Sequence, residues 1–281
     1  MRRTVTFTSD FGYHDTYVAE VRGVIEACAP SAHVIDLTHG IGRGDLLACS
    51  FVLLSSYSYF EESSVHLAVV DPGVGTERGI LAVETGEYTF VGPDNGILYE
   101  AANSSGVRCI FEVDPERLRS KAKKIFTSRV AERVLGSDPS STFHGRDIFA
   151  PLVGYIVAGA PMEEIGSATG STAGSMERVE ITGPDVREDQ IVGSVIYVDR
   201  FGNLITNVGN KLVGPDDELF LKAGGKLVRV GKIRRTYAEA PPGLCISVTG
   251  SRGYVEIAVN GGSAKQTLGA CTGDDILVLR G

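Results

Sequence analysis

The chain has 281 residues, 43 % of them apolar, and carries 35 acidic against 27 basic side chains for a net charge of −8. The acid excess disfavours non-specific binding to nucleic acid or an anionic membrane, and the length suits one large domain or two modest ones. Cys28, Cys49, Cys109, Cys245 and Cys271 are scattered, odd in number and form no Cys-x-x-Cys pair, as expected of buried reduced thiols in a cytosolic protein. Met1-Arg2-Arg3 leads straight into a β-rich run without the apolar core of a signal peptide. No apolar stretch approaches the roughly 20 residues that a membrane helix needs. A soluble, cytoplasmic protein is expected.

The first half alternates strand-like and helix-like segments. Val5-Thr6-Phe7-Thr8 is β-rich, and residues 16–28 then place Val18, Val21, Val24 and Ile25 at helical spacing. Asp15 is the expected N-cap of that helix, and Pro30 helps to end it. Residues 33–37 read as a strand, 45–54 as a buried helix, 64–70 as a strand and 79–91 as a hairpin. Residues 115–135 read as helical with Lys121, Lys123 and Lys124 on a solvated face, and 147–158 as an apolar helix. This order predicts an α/β domain with a mostly parallel sheet over residues 1–175. The Gly-, Ser- and Thr-rich stretch near 170 and the polar run with Pro184 predict a linker at 176–190. Beyond it, short β-rich runs at 191–198, 204–207, 218–222, 244–248, 254–259 and 276–279 predict a smaller antiparallel barrel or sandwich over 191–281.

The chemistry-bearing residues sit where strands end. Ser141-Thr142-Phe143-His144-Gly145-Arg146-Asp147 brings an imidazole, a guanidinium and a carboxylate within four residues of one another. Asp71-Pro72-Gly73-Val74-Gly75 follows the apolar run 65–70 and reads equally as a turn or as a site, with Arg78 able to fold back against Asp71. Asp10, at the end of the first strand, reads either as an Asx turn or as a carboxylate for a hydroxylated ligand such as a ribose diol. Gly92-Pro93-Asp94-Asn95-Gly96 favours a turn. Asp199-Arg200-Phe201-Gly202-Asn203 reads as a hairpin turn with Gly202 at positive φ, and its aromatic and amide side chains can also grip a flat heterocycle. Glu256, inside an apolar strand, is expected to face solvent by alternation. Nucleotide-binding P-loops, the full dinucleotide glycine fingerprint and the serine-hydrolase elbow are absent from the sequence.

In their order along the chain these motifs, together with Ile35-Asp36-Leu37-Thr38-His39 and Glu256-Ile257-Ala258-Val259-Asn260-Gly261, resemble the S-adenosyl-L-methionine hydroxide adenosyltransferase family, the hydrolases related to fluorinase and chlorinase. The resemblance spans nearly the whole chain. It implies an N-terminal α/β domain, a C-terminal β-barrel and cleavage of S-adenosylmethionine by water to adenosine and L-methionine, without metal or cofactor. It further implies a homotrimer with sites between neighbouring subunits. The catalytic residues it implies are Asp71, Arg78 and His144, with Asp10 on the ribose. Asn203, Tyr237 and the backbone near Val259, Asn260 and Gly261 fall at the adenine. Asp15, Asp199, Ser251 and Arg252 fall at the methionine. Two other classes stay open on the residues alone: a metal-dependent phosphohydrolase built on Asp10, His14, Asp71, His144 and Asp147, and a non-enzymatic adenosine or S-adenosylmethionine sensor.

Overall fold

The computed structural model describes residues 3–281, so Met1 and Arg2 of the leading basic segment lie outside the described residues. The chain divides into two compact units, residues 1–180 and 181–281. The first opens with β1 (Arg3–Ser9), α1 (Tyr17–Cys28), β2 (Ala32–Thr38), α2 (Leu46–Leu54), β3 (Val65–Val69), β4 (Ile80–Thr85) and β5 (Thr89–Pro93). It continues with α3 (Tyr99–Ser105), β6 (Val107–Val113), α4 (Pro115–Ile125), α5 (Arg129–Gly136), α6 (Ala150–Val157) and β7 (Gly166–Gly170). The seven strands form one sheet in the order β2-β1-β3-β5-β4-β6-β7. The three pairings among β2, β1, β3 and β5 are parallel, while the β4–β5 hairpin and the β4–β6 and β6–β7 pairs are antiparallel.

Local chemistry explains the elements. β1 is a run of β-branched and aromatic residues buried on both sheet faces, as a central strand requires. α1 turns Val18, Val21, Val24, Ile25 and Cys28 into the core beside Phe149, Leu152 and Val153. Its N-cap is Thr16 rather than the expected Asp15, and the Thr16 hydroxyl donates to Glu20 one turn on (2.7 Å). α2 does carry a capping carboxylate, since Asp45 accepts from the Ala48 N–H (2.9 Å). The segment read as one helix over 115–135 is two, α4 and α5, capped by Asp114 and Ser128.

The second unit holds β8 (Asp185–Val186), β9 (Gln190–Val198), β10 (Leu204–Gly209), β11 (Glu218–Ala223), β12 (Lys226–Arg234), β13 (Cys245–Thr249), β14 (Tyr254–Val259), α7 (Ala264–Leu268) and β15 (Asp275–Leu279). Seven of its strands close on themselves in the order β9-β10-β14-β13-β12-β11-β15, and β8 flanks β9. The barrel is antiparallel except for the β12–β13 pair, which is parallel. Its interior is filled by Ile191, Leu204, Leu219, Leu221, Val255, Ile257 and Val278. β8 falls inside the stretch expected to be pure linker.

Candidate active site

The order β2-β1-β3 means that the chain leaves β1 toward one neighbour and returns on its other side. Such a reversal opens a crevice beyond the carboxyl ends of parallel strands. Ser9 pairs with Val69 across β1 and β3, so Asp10 and Asp71 leave adjacent strands at the same edge. Asp10 is not an Asx turn: its Oδ2 accepts from the Gly44 N–H (2.9 Å), in the loop ahead of α2. The Asp71 loop is wound by Val74 N–H to the Asp71 carbonyl (3.2 Å) and Thr76 N–H to the Gly73 carbonyl (3.1 Å). Gly75 has φ +80°, and any Cβ there would collide with the Ser141 carbonyl, so only glycine lets this loop pack on the segment leading to His144. Asn95, in the bend after β5, donates its amide to the Val70 carbonyl (2.8 Å) and braces the strand end before Asp71.

Arg78 joins the sequence-distant partners. Its Nε donates to Asp71 Oδ1 (3.0 Å) and Oδ2 (3.1 Å), and its Nη2 donates to Asp71 Oδ2 and to His144 Nδ1 (2.9 Å). The two charged side chains are buried, at 10 % exposure for Arg78 and 6 % for Asp71, and the guanidinium lies 5.5 Å from the Phe149 ring centre. His144 immediately precedes a π-helical turn, Gly145–Phe149, that runs into α6. Phe11, Tyr17 and Phe143 meet edge to face just ahead of it. Burial and the neighbouring Arg78 charge hold the His144 pKa below the ordinary imidazole value. A guanidinium only donates, so His144 Nδ1 is an acceptor and the neutral ring carries its proton on Nε2. Arg78, His144, Thr76 and Ser141 line a cavity of about 590 Å³. Arg146 and Asp147, predicted alongside His144, instead pair with each other, Arg146 also donates to Glu20 of α1 (2.9 Å), and the three line a separate cavity.

The sequence-predicted residues of the second half gather in one groove of about 740 Å³ on the barrel unit. The β9–β10 turn is tied by Asp199, whose Oδ1 accepts from the Phe201 and Asn203 N–H groups (2.9 Å each) and whose Oδ2 accepts from Asn203 Nδ2 (3.0 Å). Gly202 has φ +82°, as the hairpin reading requires. Phe201 stands 74 % exposed over the groove, which Asn203, Tyr237, Ser251 and Arg252 also line. Val259, Asn260 and Gly261 complete that wall, and Asn260 is fixed by donating to the Ala240 carbonyl (2.7 Å). Asp15 is not part of this group; it is exposed between β1 and α1 of the first unit. The expectation that Glu256 faces solvent is wrong. It is buried, lines the groove, and accepts from the Tyr237 hydroxyl (2.8 Å), because the face of β14 that alternation assigns to solvent is covered by the 236–240 segment.

No three His, Cys, Asp or Glu side chains among the described residues are grouped to hold a metal ion, so the five residues of the phosphohydrolase reading do not form its ligand set. Among the same residues, no helix is long and apolar enough to cross a membrane.

Comparison with known proteins extends this picture. The sequence matches the SAM hydroxide adenosyltransferase N-terminal domain over residues 5–166 and the corresponding C-terminal domain over 193–277. It is 38 % identical to the (R)-S-adenosyl-L-methionine hydrolase of Thermus thermophilus over 99 % of this chain and 100 % of that one. A conserved protein of Thermotoga maritima has a crystal structure of the same fold, with a TM-score of 0.84 at 34 % identity over 98 % of this chain and all of that one. A fluorinase of Nocardia brasiliensis is more distant, at 24 % identity over 93 % of this chain and 92 % of its own. Both halves of the chain are thus accounted for by one pair of domains, and the protein belongs to the SAM hydroxide adenosyltransferase family.

Proposed function

We propose that this chain hydrolyses S-adenosyl-L-methionine to adenosine and L-methionine, with water attacking the ribose C5′. The observation that carries the reading is Arg78 bonded at once to Asp71 and His144 at the end of the parallel strands. The leaving group is a neutral thioether, so bond cleavage needs no general acid. The C5′–S bond breaks with its electron pair on sulfur, and a new C5′–O bond forms to the water oxygen. The demand falls on making a nucleophile from water and aligning it opposite sulfur.

The trio is suited to that demand. Arg78 places a fixed positive charge beside an oxygen that gains hydroxide character. His144, neutral with its proton on Nε2, donates that N–H and orients the oxygen. Asp71 keeps acceptor capacity beyond its Arg78 bonds and takes the proton the water loses. Alignment alone contributes several kcal/mol, on the order of what positioned intramolecular reactions gain. None of these steps calls on a metal or cofactor.

Substrate contacts are assigned in the same proposal. Asp10 binds the ribose, Asn203, Tyr237 and the backbone of 259–261 hold the adenine, and Phe201 offers its exposed face to it. Asp15, Asp199, Ser251 and Arg252 serve the methionine, with Asp199 acting largely through the turn that it ties. The assembly is a homotrimer in which neighbouring copies contribute to each site. Incubation with S-adenosylmethionine followed by chromatography should give adenosine and methionine in equal amounts. Release of neither, or of methylthioadenosine instead, would remove the proposal.

A further inference from the structure

The barrel groove contains a buried carboxylate that the proposed reaction does not use. Glu256 sits on β14 in register with Ile205 of β10 and Val248 of β13, and is only 6 % exposed. An apolar side chain would fill such a place without the desolvation that a carboxylate suffers. The backbone nevertheless makes room for it. A Cβ at Gly250 would collide with Glu256 Oε1, so glycine at 250 creates the space the carboxylate occupies.

The partner of Glu256 explains the arrangement. Its Oε2 accepts from the hydroxyl of Tyr237, at 2.8 Å. Tyr237 opens a single 3₁₀ turn, Tyr237–Glu239, whose entry is locked by a reciprocal cap. Thr236 Oγ1 accepts from the Ala238 N–H (3.1 Å), and Glu239 accepts from the Arg235 and Thr236 N–H groups (3.0 and 3.1 Å). The backbone beneath the ring is therefore fixed, and the Glu256 bond fixes its far end. Burial and the Glu256 charge raise the Tyr237 pKa to about 12, so the phenol stays a donor. Without that bond a ring 43 % exposed at a surface turn would be free to sample other rotamers.

We propose that Glu256 is a positioning residue: it anchors the Tyr237 ring as a preset wall of the groove, against which the flat base of a nucleoside stacks. The gain is preorganisation, since the ring loses its freedom on folding and not on binding. This inference rests on the nucleoside reading of the groove given above.

The test is a double-mutant cycle on adenosine affinity, measured by calorimetry with wild type, Tyr237→Phe, Glu256→Leu and the double variant, with Glu256→Gln as the conservative rescue. Tyr237→Phe and Glu256→Leu should each weaken adenosine about tenfold, the scale of one charge-assisted hydrogen bond, and the double variant should be no weaker than the worse single. Glu256→Gln keeps an acceptor oxygen for the phenol and should bind within about twofold of wild type. With S-adenosylmethionine the loss should fall on KM rather than kcat. Wild-type affinity in Tyr237→Phe, or additive losses in the double variant, would overturn the anchor. Should Glu256→Leu fail to fold, Tyr237→Phe and Glu256→Gln decide alone. Failure of the wild-type protein itself to bind adenosine would overturn the nucleoside reading and the anchor with it, and so distinguishes the two failures.

Discussion

The two units organise their polar groups in opposite ways. In the first, Asp71, Arg78 and His144 come from two distant stretches of sequence and are joined through Arg78, whose guanidinium is little exposed and bonds to both of the others. In the barrel unit the groove is built from turns and strand ends, its aromatic side chains stand exposed, and Asp199 spends its acceptors on its own turn. The trio concentrates charge at the end of the parallel strands, where the proposed reaction would take place. The groove presents shape and hydrogen-bonding edges at a surface. All five histidines lie in the first unit.

This contrast predicts where variants act. Arg78→Ala should lower kcat by about 10²- to 10³-fold, the range seen when one preorganised charge-stabilising donor is lost, with a far smaller change in KM. Steady-state kinetics would erase the contrast if KM carried the effect instead.

Acid should separate the units next. His39, His66 and His144 all have pKa values lowered chiefly by burial, His66 to about 4. Below the ordinary value near 6.5 the unfolded chain takes up protons that the folded one refuses, so stability falls as pH drops from there and levels off below the folded pKa. His66 alone accounts for a loss on the order of 3 kcal/mol by pH 4. Hydrogen exchange at pH 7 and 4.5 should show β1 and β3 losing protection while barrel strands keep theirs. Equal loss in both units would show that histidine burial is not the cause.

Smaller effects belong to binding. Asp10→Ala should weaken adenosine about tenfold, the order of one lost charge-assisted bond. Its calorimetric Kd staying at the wild-type value would remove Asp10 from the ribose. Phe201→Ala should raise KM only about threefold, because an exposed ring gains little from partial stacking. A kcat loss exceeding that would move Phe201 from recognition to chemistry.

Much of this was legible in the sequence. Alternating strand and helix patterns located the sheet, and Arg78 seven residues beyond Asp71 across a glycine-rich loop foretold their pairing. What escaped depended on long-range packing. β12 carries Lys226, Arg229, Lys232 and Arg234 and hides its strand character behind charge. Asp10 found its partner in Gly44, thirty-four residues away, rather than in its own turn. Glu256 was misplaced because alternation assumes that the outer face of a strand is wet, and the 3₁₀ turn bearing Tyr237 covers that face. Arg146 is separated from His144 because residues two apart on a helical turn do not face each other, which its position at the start of a helix already implied.

The central claim is that water, held by Asp71, Arg78 and His144, becomes the 5′-oxygen of the product. Reaction with S-adenosylmethionine in ¹⁸O-labelled water, read by mass spectrometry, tests it directly. The account predicts one heavy oxygen in the adenosine 5′-hydroxyl and none in methionine. Unlabelled adenosine, or label in the amino-acid product, would contradict it.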